Sequence, residues 1–176
     1  INTLNELGWE LVFSNPDTGV VLGKQAVALA KKLKWDFGAA ANYNLIGTAY
    51  AVKANYQQAL SFFFKCLAIT KKNGDKKAQS NSYGNIGNIY FNQGDLPAAL
   101  EAYFNSLRIA EKLNDPPTIA IAHFNIASVY GMQKNYHRAL ASYFKCLKLD
   151  KNPSESHLGR TYGNIGNTYT SLKNYA

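Results

Sequence analysis

Tyr83-Gly84-Asn85-Ile86-Gly87-Asn88-Ile89-Tyr90 recurs almost unchanged as Tyr162-Gly163-Asn164-Ile165-Gly166-Asn167-Thr168-Tyr169. Related four-residue segments appear about every 40 residues: Gly47-Thr48-Ala49-Tyr50, Gly87-Asn88-Ile89-Tyr90, Ala127-Ser128-Val129-Tyr130 and Gly166-Asn167-Thr168-Tyr169. An Ala-Leu pair follows each of the first three at a constant distance, at Ala59-Leu60, Ala99-Leu100 and Ala139-Leu140. A fixed period of roughly 20–50 residues is typical of stacked repeats, in which each unit buries its apolar face against its neighbours. The repeat therefore predicts an array and favours binding over catalysis.

The composition agrees with a folded array. Hydrophobic residues make up 47% and charged residues 17% of the 176-residue chain, as in globular proteins. No apolar run is long enough for a transmembrane helix, so no membrane contact is expected within these residues. The sequence assigns no compartment, and both cytoplasm and periplasm stay open.

Two cysteines, Cys66 and Cys146, occupy equivalent places two repeats apart. Stacked helices lie roughly 8–10 Å apart, which puts these thiols beyond the ~7 Å limit for a disulfide. Ala26 and Ser106 hold the same place in other repeats. We therefore expect both cysteines to be small buried residues.

The net charge of +8 raises the possibility of nucleic-acid binding. Many basic residues, however, fall near the ends of predicted helices, where cations complement the helix dipole: Lys31, Lys32, Lys34, Lys71, Lys72, Lys112, Lys148 and Lys151. No basic cluster in the sequence alternates with aromatic residues expected to be exposed, as single-strand binders require. Nucleic acid is therefore not an expected partner.

Apolar residues recur at helical spacing throughout, and short breakers such as Asn55, Gly94-Asp95 and Asn135 separate the helical segments. No strand-like alternation of useful length appears. The pattern predicts an all-α chain of about nine helices, at residues 3–13, 17–33, 37–53, 56–72, 77–93, 96–113, 117–133, 136–150 and 155–172.

These residues resemble the tetratricopeptide repeat family. The first helices carry its large residue, glycine and tyrosine, as in Tyr83, Ile86, Gly87 and Tyr90; the second helices carry Ala99, Tyr103 and Ser106, or Ala139, Tyr143 and Cys146. The resemblance is close over residues 37–176 and loose over 1–36. It implies a right-handed α–α superhelix, a tetratricopeptide solenoid.

The resemblance also divides the chain as one array. A divergent repeat at 1–36 precedes repeats at 37–75, 76–115 and 116–154, and a truncated repeat follows at 155–176. The missing second helix of this last repeat indicates a fragment of a longer protein, with an open C-terminal helix available for homo-oligomer formation. Gly47, Gly87 and Gly166 are expected to permit close approach of the partner helix, because glycine costs about 1 kcal/mol in a helix.

The candidate site is the face opposite the packing stripe, which lines the concave groove in the family. Its proposed peptide-binding residues are Asn44, Asn85, Asn88, Phe91, Asn92, Phe124, Asn125, Met132, Arg160, Asn164 and Asn167. An asparagine amide can donate to a backbone carbonyl and accept from a backbone N–H at once, so a row of amides could hold an extended peptide regardless of its side chains. Phe91, Phe124 and Met132 would supply apolar anchors. Alternatively, the asparagines solvate an open face or link adjacent helices.

Catalytic patterns are absent. His123, His137 and His157 show no metal-like pairing with cysteines or carboxylates. The glycine-rich segment at 83–88 lies inside a predicted helix, which argues against a phosphate loop. We expect neither enzymatic activity nor a metal or cofactor.

The leading hypothesis is a scaffold that binds a protein or peptide segment in its concave groove. The long repeats and the Ser14-Asn15-Pro16-Asp17 opening resemble sensory arrays of bacterial signalling proteins, which precede a histidine kinase, a nucleotide cyclase or a transcription regulator. The alternative is a structural or self-assembly module without a peptide ligand.

Overall fold

The computed structural model describes residues 1–150 and 153–174, and in these ranges it contains nine helices and no strand. The helices are α1 (Asn2–Leu11), α2 (Pro16–Lys32), α3 (Asp36–Val52), α4 (Tyr56–Lys72), α5 (Lys76–Asn92), α6 (Leu96–Leu113), α7 (Pro116–Met132), α8 (Tyr136–Leu149) and α9 (Glu155–Asn174). The all-α prediction is confirmed, and each predicted boundary lies within two residues of the observed one.

The turns between helices recur every 20 residues. In the six turns from α2 to α8, one residue adopts a left-handed conformation, with φ between 49° and 78°: Lys34, Ala54, Gly74, Gly94, Asn114 and Lys134. The next residue caps the following helix through a side-chain oxygen in five of these turns, at Asn55, Asp75, Asp95, Asp115 and Asn135. Such caps satisfy backbone N–H groups that the first helical turn leaves free. Helices α2 to α7, each of 17 or 18 residues, follow from this regular spacing.

The odd-numbered helices line one side of the array. Each helix packs on the next one in sequence, and α1, α3, α5, α7 and α9 also pack on one another in order. Within the described residues, no two even-numbered helices are in contact. The odd helices therefore form the inner, concave side, which we call the groove, and the even helices form the outer, convex side.

Aromatic side chains of the even helices pack directly on glycines of the odd helices. A Cβ atom added at Gly87 would lie 2.5 Å from Tyr103 Cε1, and one at Gly47 would lie 2.7 Å from Phe63 Cδ1. The expected close approach is therefore present at both positions. It is absent at Gly166, where an added Cβ would meet nothing within 4 Å, because no described helix packs on that face of α9.

The cysteines are small buried residues, as the sequence predicts. Cys66 and Cys146 are free and buried. Burial raises the pKa of the Cys146 thiol to about 11, so it stays protonated as a small core residue. Six of the lysines predicted at helix ends lie in the last turn of a helix, Lys34 lies in the turn after α2, and Lys151 lies outside the described residues: the six are Lys31, Lys32, Lys71, Lys72, Lys112 and Lys148. Lys53 pairs with Asp17, and Lys72 pairs with Asp36 at 3.1 Å, each joining the end of one helix to the start of a neighbouring one. No described helix is long and apolar enough to cross a membrane.

One surface feature differs from expectation. Phe64, Phe104 and Phe144 occupy equivalent places on the even helices and are 46%, 40% and 48% exposed. Lys65 and Lys145 follow the first and third directly in sequence, so exposed aromatics do adjoin basic residues on the convex side. Sequence reasoning made no prediction for this row, in which each phenylalanine directly follows a buried aromatic residue, Phe63, Tyr103 or Tyr143.

We predict that Gly87→Ala destabilises the fold although alanine is the better helix former. The added methyl group would overlap the Tyr103 ring, and overpacking of this kind typically costs about 1–3 kcal/mol. Gly84→Ala in the same helix is the matched control, because its Cβ would lie 3.8 Å from Ser106 Oγ and fits without movement. Urea unfolding followed by circular dichroism measures both variants. Equal effects of the two substitutions would contradict the packing role of Gly87.

Candidate binding groove

Three adjoining pockets of about 390, 560 and 450 Å³ occupy the groove. The first lies over α3, α5 and α7, and the second and third lie over α5, α7 and α9. All eleven residues predicted from the sequence line at least one of them. The structure thus brings the predicted set together on one surface, while its role in binding stays a prediction.

Two of the asparagines bind each other. Asn85 Nδ2 on α5 donates to Asn44 Oδ1 on α3 at 2.8 Å. This pair therefore links adjacent odd-numbered helices, which is the alternative role that the sequence left open for the asparagines. Each amide still has free capacity, because a carboxamide offers two donors and two acceptor lone pairs.

Tyrosines of the convex helices reach the groove from behind. Tyr103 Oη on α6 donates to Asn88 Oδ1 at 2.8 Å, and Tyr143 Oη on α8 lies 3.2 Å from Ser128 Oγ on α7. Burial raises the pKa of both phenols, although hydrogen bonds from Ser128 and Asn164 oppose this at Tyr143. Both hydroxyls therefore stay protonated. The Tyr103 bond fixes the Asn88 side chain through its oxygen and leaves its N–H groups without a partner among the described residues.

Three asparagines have no side-chain hydrogen bond within the described residues. Asn92 on α5 and Asn167 on α9 are exposed, and Asn125 on α7 is half-buried. Their amides are free to bind a ligand backbone, which distinguishes them from the asparagines that hold the helices together.

The apolar candidates differ in how much surface they offer. Met132 is 64% exposed, and Phe91 is half-buried beside it. Phe124 is only 6% exposed, because its ring packs against Tyr143 at 5.7 Å and His157 at 5.3 Å between ring centroids. Phe124 therefore forms the wall between the second and third pockets. The sequence predicted that its ring would project into the groove as a free anchor, and the structure corrects this because the ring is packed on both sides.

Comparison with known proteins identifies the repeats. The family model described as tetratricopeptide repeat matches residues 38–112 and 79–152, which together cover more than half of the chain. The chain belongs to the tetratricopeptide repeat family. No curated protein sequence matches it.

Solved structures of several tetratricopeptide-like proteins are similar to this chain. Putative kinesin light chain repeats from Podosopora anserina, described as nearly identical TPR-like repeats, share 17% identity with a TM-score of 0.76 and cover 98% of this chain and 87% of theirs. BtubC from P. vanneervenii shows 17% identity and a TM-score of 0.70, over 98% of this chain and 81% of its own. The apo form of RapI shows 17% identity and a TM-score of 0.80, over 97% of this chain but 52% of RapI. At this identity the likeness supports the solenoid fold alone.

The family assignment also bears on chemistry. The tetratricopeptide repeat is a non-enzymatic scaffold that generally mediates protein interaction, in agreement with the expectation that this chain is not an enzyme. In the part of the chain that the structure describes, no three His, Cys, Asp or Glu side chains are grouped to hold a metal ion.

Sequence reasoning missed several groove residues of this tetratricopeptide array. Tyr103 and Tyr143 were predicted only as members of the second-helix motif, yet their hydroxyls reach the groove. The sequence did contain a signal for this. Phe63 shows that the packing position accepts a ring without a hydroxyl, and a buried tyrosine at the same position usually finds a partner for its O–H group. His157 was also missed; it lines the second pocket, and its Nδ1 lies 2.9 Å from Asp150 Oδ2.

We predict that Asn85→Ala and Asn125→Ala have opposite effects on stability. The two asparagines occupy equivalent places in successive repeats, and each gains about 0.5 kcal/mol of helix propensity as alanine. Only Asn85→Ala also loses a hydrogen bond, the one to Asn44, which is worth about 1 kcal/mol. The free energies of unfolding from urea titration should therefore differ by about 1 kcal/mol. Identical values would show that the Asn44–Asn85 bond adds nothing to stability.

Proposed function

We propose that the groove binds an extended segment of a protein partner, mainly through the partner's backbone. The observation that carries this proposal is the row of asparagine amides on the odd helices, of which Asn92, Asn125 and Asn167 have no partner within the described residues. Asparagine is a poor helix former, so several on one helix face lower stability without a gain in core packing.

The spacing of the amides suits an extended chain. Asn85, Asn125 and Asn164 hold equivalent places on α5, α7 and α9. Packed helices lie roughly 8–10 Å apart, and an extended peptide rises roughly 3.3 Å per residue. A peptide that crosses the helices would therefore meet one equivalent amide about every third residue. Binding to backbone groups in this way gives affinity with little dependence on sequence.

Internal hydrogen bonds prepare part of this surface for binding. Tyr103 holds Asn88, and Asn44 holds Asn85, so these side chains lose little rotamer freedom when a peptide binds. Immobilising a free side chain costs about 0.5–1.5 kcal/mol on association. Exposed Met132 and half-buried Phe91 would then select among partners through apolar contacts.

The test uses an immobilised library of random decapeptides with acetylated N-termini and amidated C-termini. We expect the chain to bind a subset of the library, and the tightest peptide then serves as a fluorescence-polarisation probe. The variant Asn92→Ala, Asn125→Ala, Asn167→Ala should bind that probe at least tenfold more weakly, because each hydrogen bond contributes about 1 kcal/mol.

The matched control replaces three carboxamides on the even helices, with Gln25→Ala, Gln57→Ala and Asn105→Ala. This convex variant should bind like the unchanged chain. Equal affinities of the groove variant and the convex variant would contradict a backbone-binding groove, and circular dichroism verifies that both remain folded.

A second candidate function is self-association through α9. Tyr162 and Tyr169 are 60% and 50% exposed on this helix and flank Gly166, where an added Cβ would meet no atom. At the equivalent Gly47 and Gly87 an aromatic ring covers the glycine. Sedimentation velocity at rising concentration should then reveal a dimer that Tyr169→Glu abolishes. A monomer at all concentrations would exclude this candidate.

The host protein is a separate proposal. We propose that the array is the sensory or regulatory part of a larger bacterial signalling protein, with a histidine kinase, nucleotide cyclase or transcription regulator as output. The 40-residue repeats and the Ser14-Asn15-Pro16-Asp17 opening support it. Ligand binding would then bias the output by favouring one curvature of the array.

A further inference from the structure

The groove is almost uncharged although the chain carries a net charge of +8. Among the described residues that line its three pockets, only Arg160 and His157 are basic, and no acidic residue is present. Arg160 lines both the 560 Å³ pocket and the 450 Å³ pocket. A single permanent charge therefore stands at the boundary between two pockets.

The Arg160 side chain is held in position but not neutralised. Its guanidinium carbon lies 5.1 Å from the centroid of the Phe124 ring, which is itself packed against Tyr143 and His157. No described carboxylate lies within ion-pair distance of Arg160, and Asp150 is paired with His157 instead. The guanidinium thus keeps its N–H donors for a ligand, and a cation stacked on an aromatic face retains its charge.

We propose that Arg160 binds the carboxylate of an aspartate or glutamate side chain within the bound peptide. This inference rests on the proposed function and adds the chemical class of the ligand. The planar guanidinium can bind both carboxylate oxygens at once, which adds geometric specificity to the charge attraction. A neighbouring apolar residue of the same peptide enters the pocket beside Phe91 and exposed Met132.

The position of Arg160 favours a side chain over a terminal carboxylate. Asn92 and Asn125 line the pocket on one side of Arg160, and Asn164 and Asn167 line the pocket on the other. A peptide that uses amides in both pockets has backbone on each side of the guanidinium. A terminal carboxylate on Arg160 would leave one of the two pockets without peptide.

The test uses the same capped decapeptide library. The peptides that bind are sequenced, and amino-acid frequencies are compared position by position with those of the unselected library. The unchanged chain should enrich Asp or Glu at one position next to an apolar residue, and replacing that acid by its amide should weaken binding about three- to tenfold. Arg160→Gln should remove the acidic preference while other positions keep theirs, and Arg160→Glu should replace it by a preference for Lys or Arg. Arg108→Glu is the matched control, because Arg108 is exposed on α6, outside the groove.

The outcomes separate this inference from the groove proposal. Two results would overturn the role of Arg160 alone, provided that peptide binding still depends on the asparagines. One is the absence of any preference for acidic residues, and the other is an acidic preference that stays unchanged in Arg160→Glu. A parallel library with free C-termini tests the other carboxylate source, and enrichment only there would assign a terminal clamp and overturn the side-chain assignment. Failure of every library to bind would overturn both proposals.

Discussion

The contact between the Tyr103 ring and Gly87 links the core of this protein to its groove. The ring lies 2.5 Å from the place that a Cβ atom of residue 87 would occupy, so this contact sets how closely α5 and α6 approach. Its hydroxyl then reaches past the core and holds Asn88 on the groove face. One side chain thereby fixes the spacing of a helix pair and the orientation of a groove residue, and any change in this packing would also move the candidate site.

The same arrangement varies from repeat to repeat. Phe63 packs on Gly47 in the same way but has no hydroxyl, and the groove residue opposite it, Thr48, bonds to the backbone of its own helix. The Tyr143 hydroxyl contacts Ser128 on α7, and the amide of Asn164 on α9 also hydrogen-bonds to it. The repeats therefore share one packing geometry while the polar groups that they present to the groove differ, which separates what the fold requires from what a ligand would recognise.

Most of the fold was predictable from the sequence because local signals repeat and agree. Capping residues such as Asp95 and Asn135 mark helix starts, and apolar residues at helical spacing mark the buried faces, so the boundaries were predicted within two residues. The face opposite the packing stripe followed from the same periodicity, and the resemblance to the tetratricopeptide repeat family implied that this face lines the groove. Contacts between repeats were not predictable, because no local pattern shows that Asn85 bonds to Asn44 or that His157 covers Phe124. Those contacts depend on the offset between helices, which the sequence of one repeat does not contain.

Electrostatics also differ between the two sides of the array. Lysines lie at helix ends, as in the pairs with Asp17 and Asp36, whereas the odd helices present amides and aromatic rings to the groove. A partner would therefore approach a positively charged protein but contact a nearly neutral surface with one cation. In the proposed complex, long-range attraction and close recognition would thus come from different residues.

In residues 1–150 and 153–174, helices contact only helices that are one or two positions away, and this restriction has an evolutionary consequence. Duplication or loss of one 40-residue unit would reproduce only interfaces that already exist, so the gene could change the number of units without inventing a new core. Each added unit would lengthen the row of amides by one helix, or roughly three residues of extended ligand. Ligand length could thus change by recombination, independently of the point mutations that alter Arg160 or Met132.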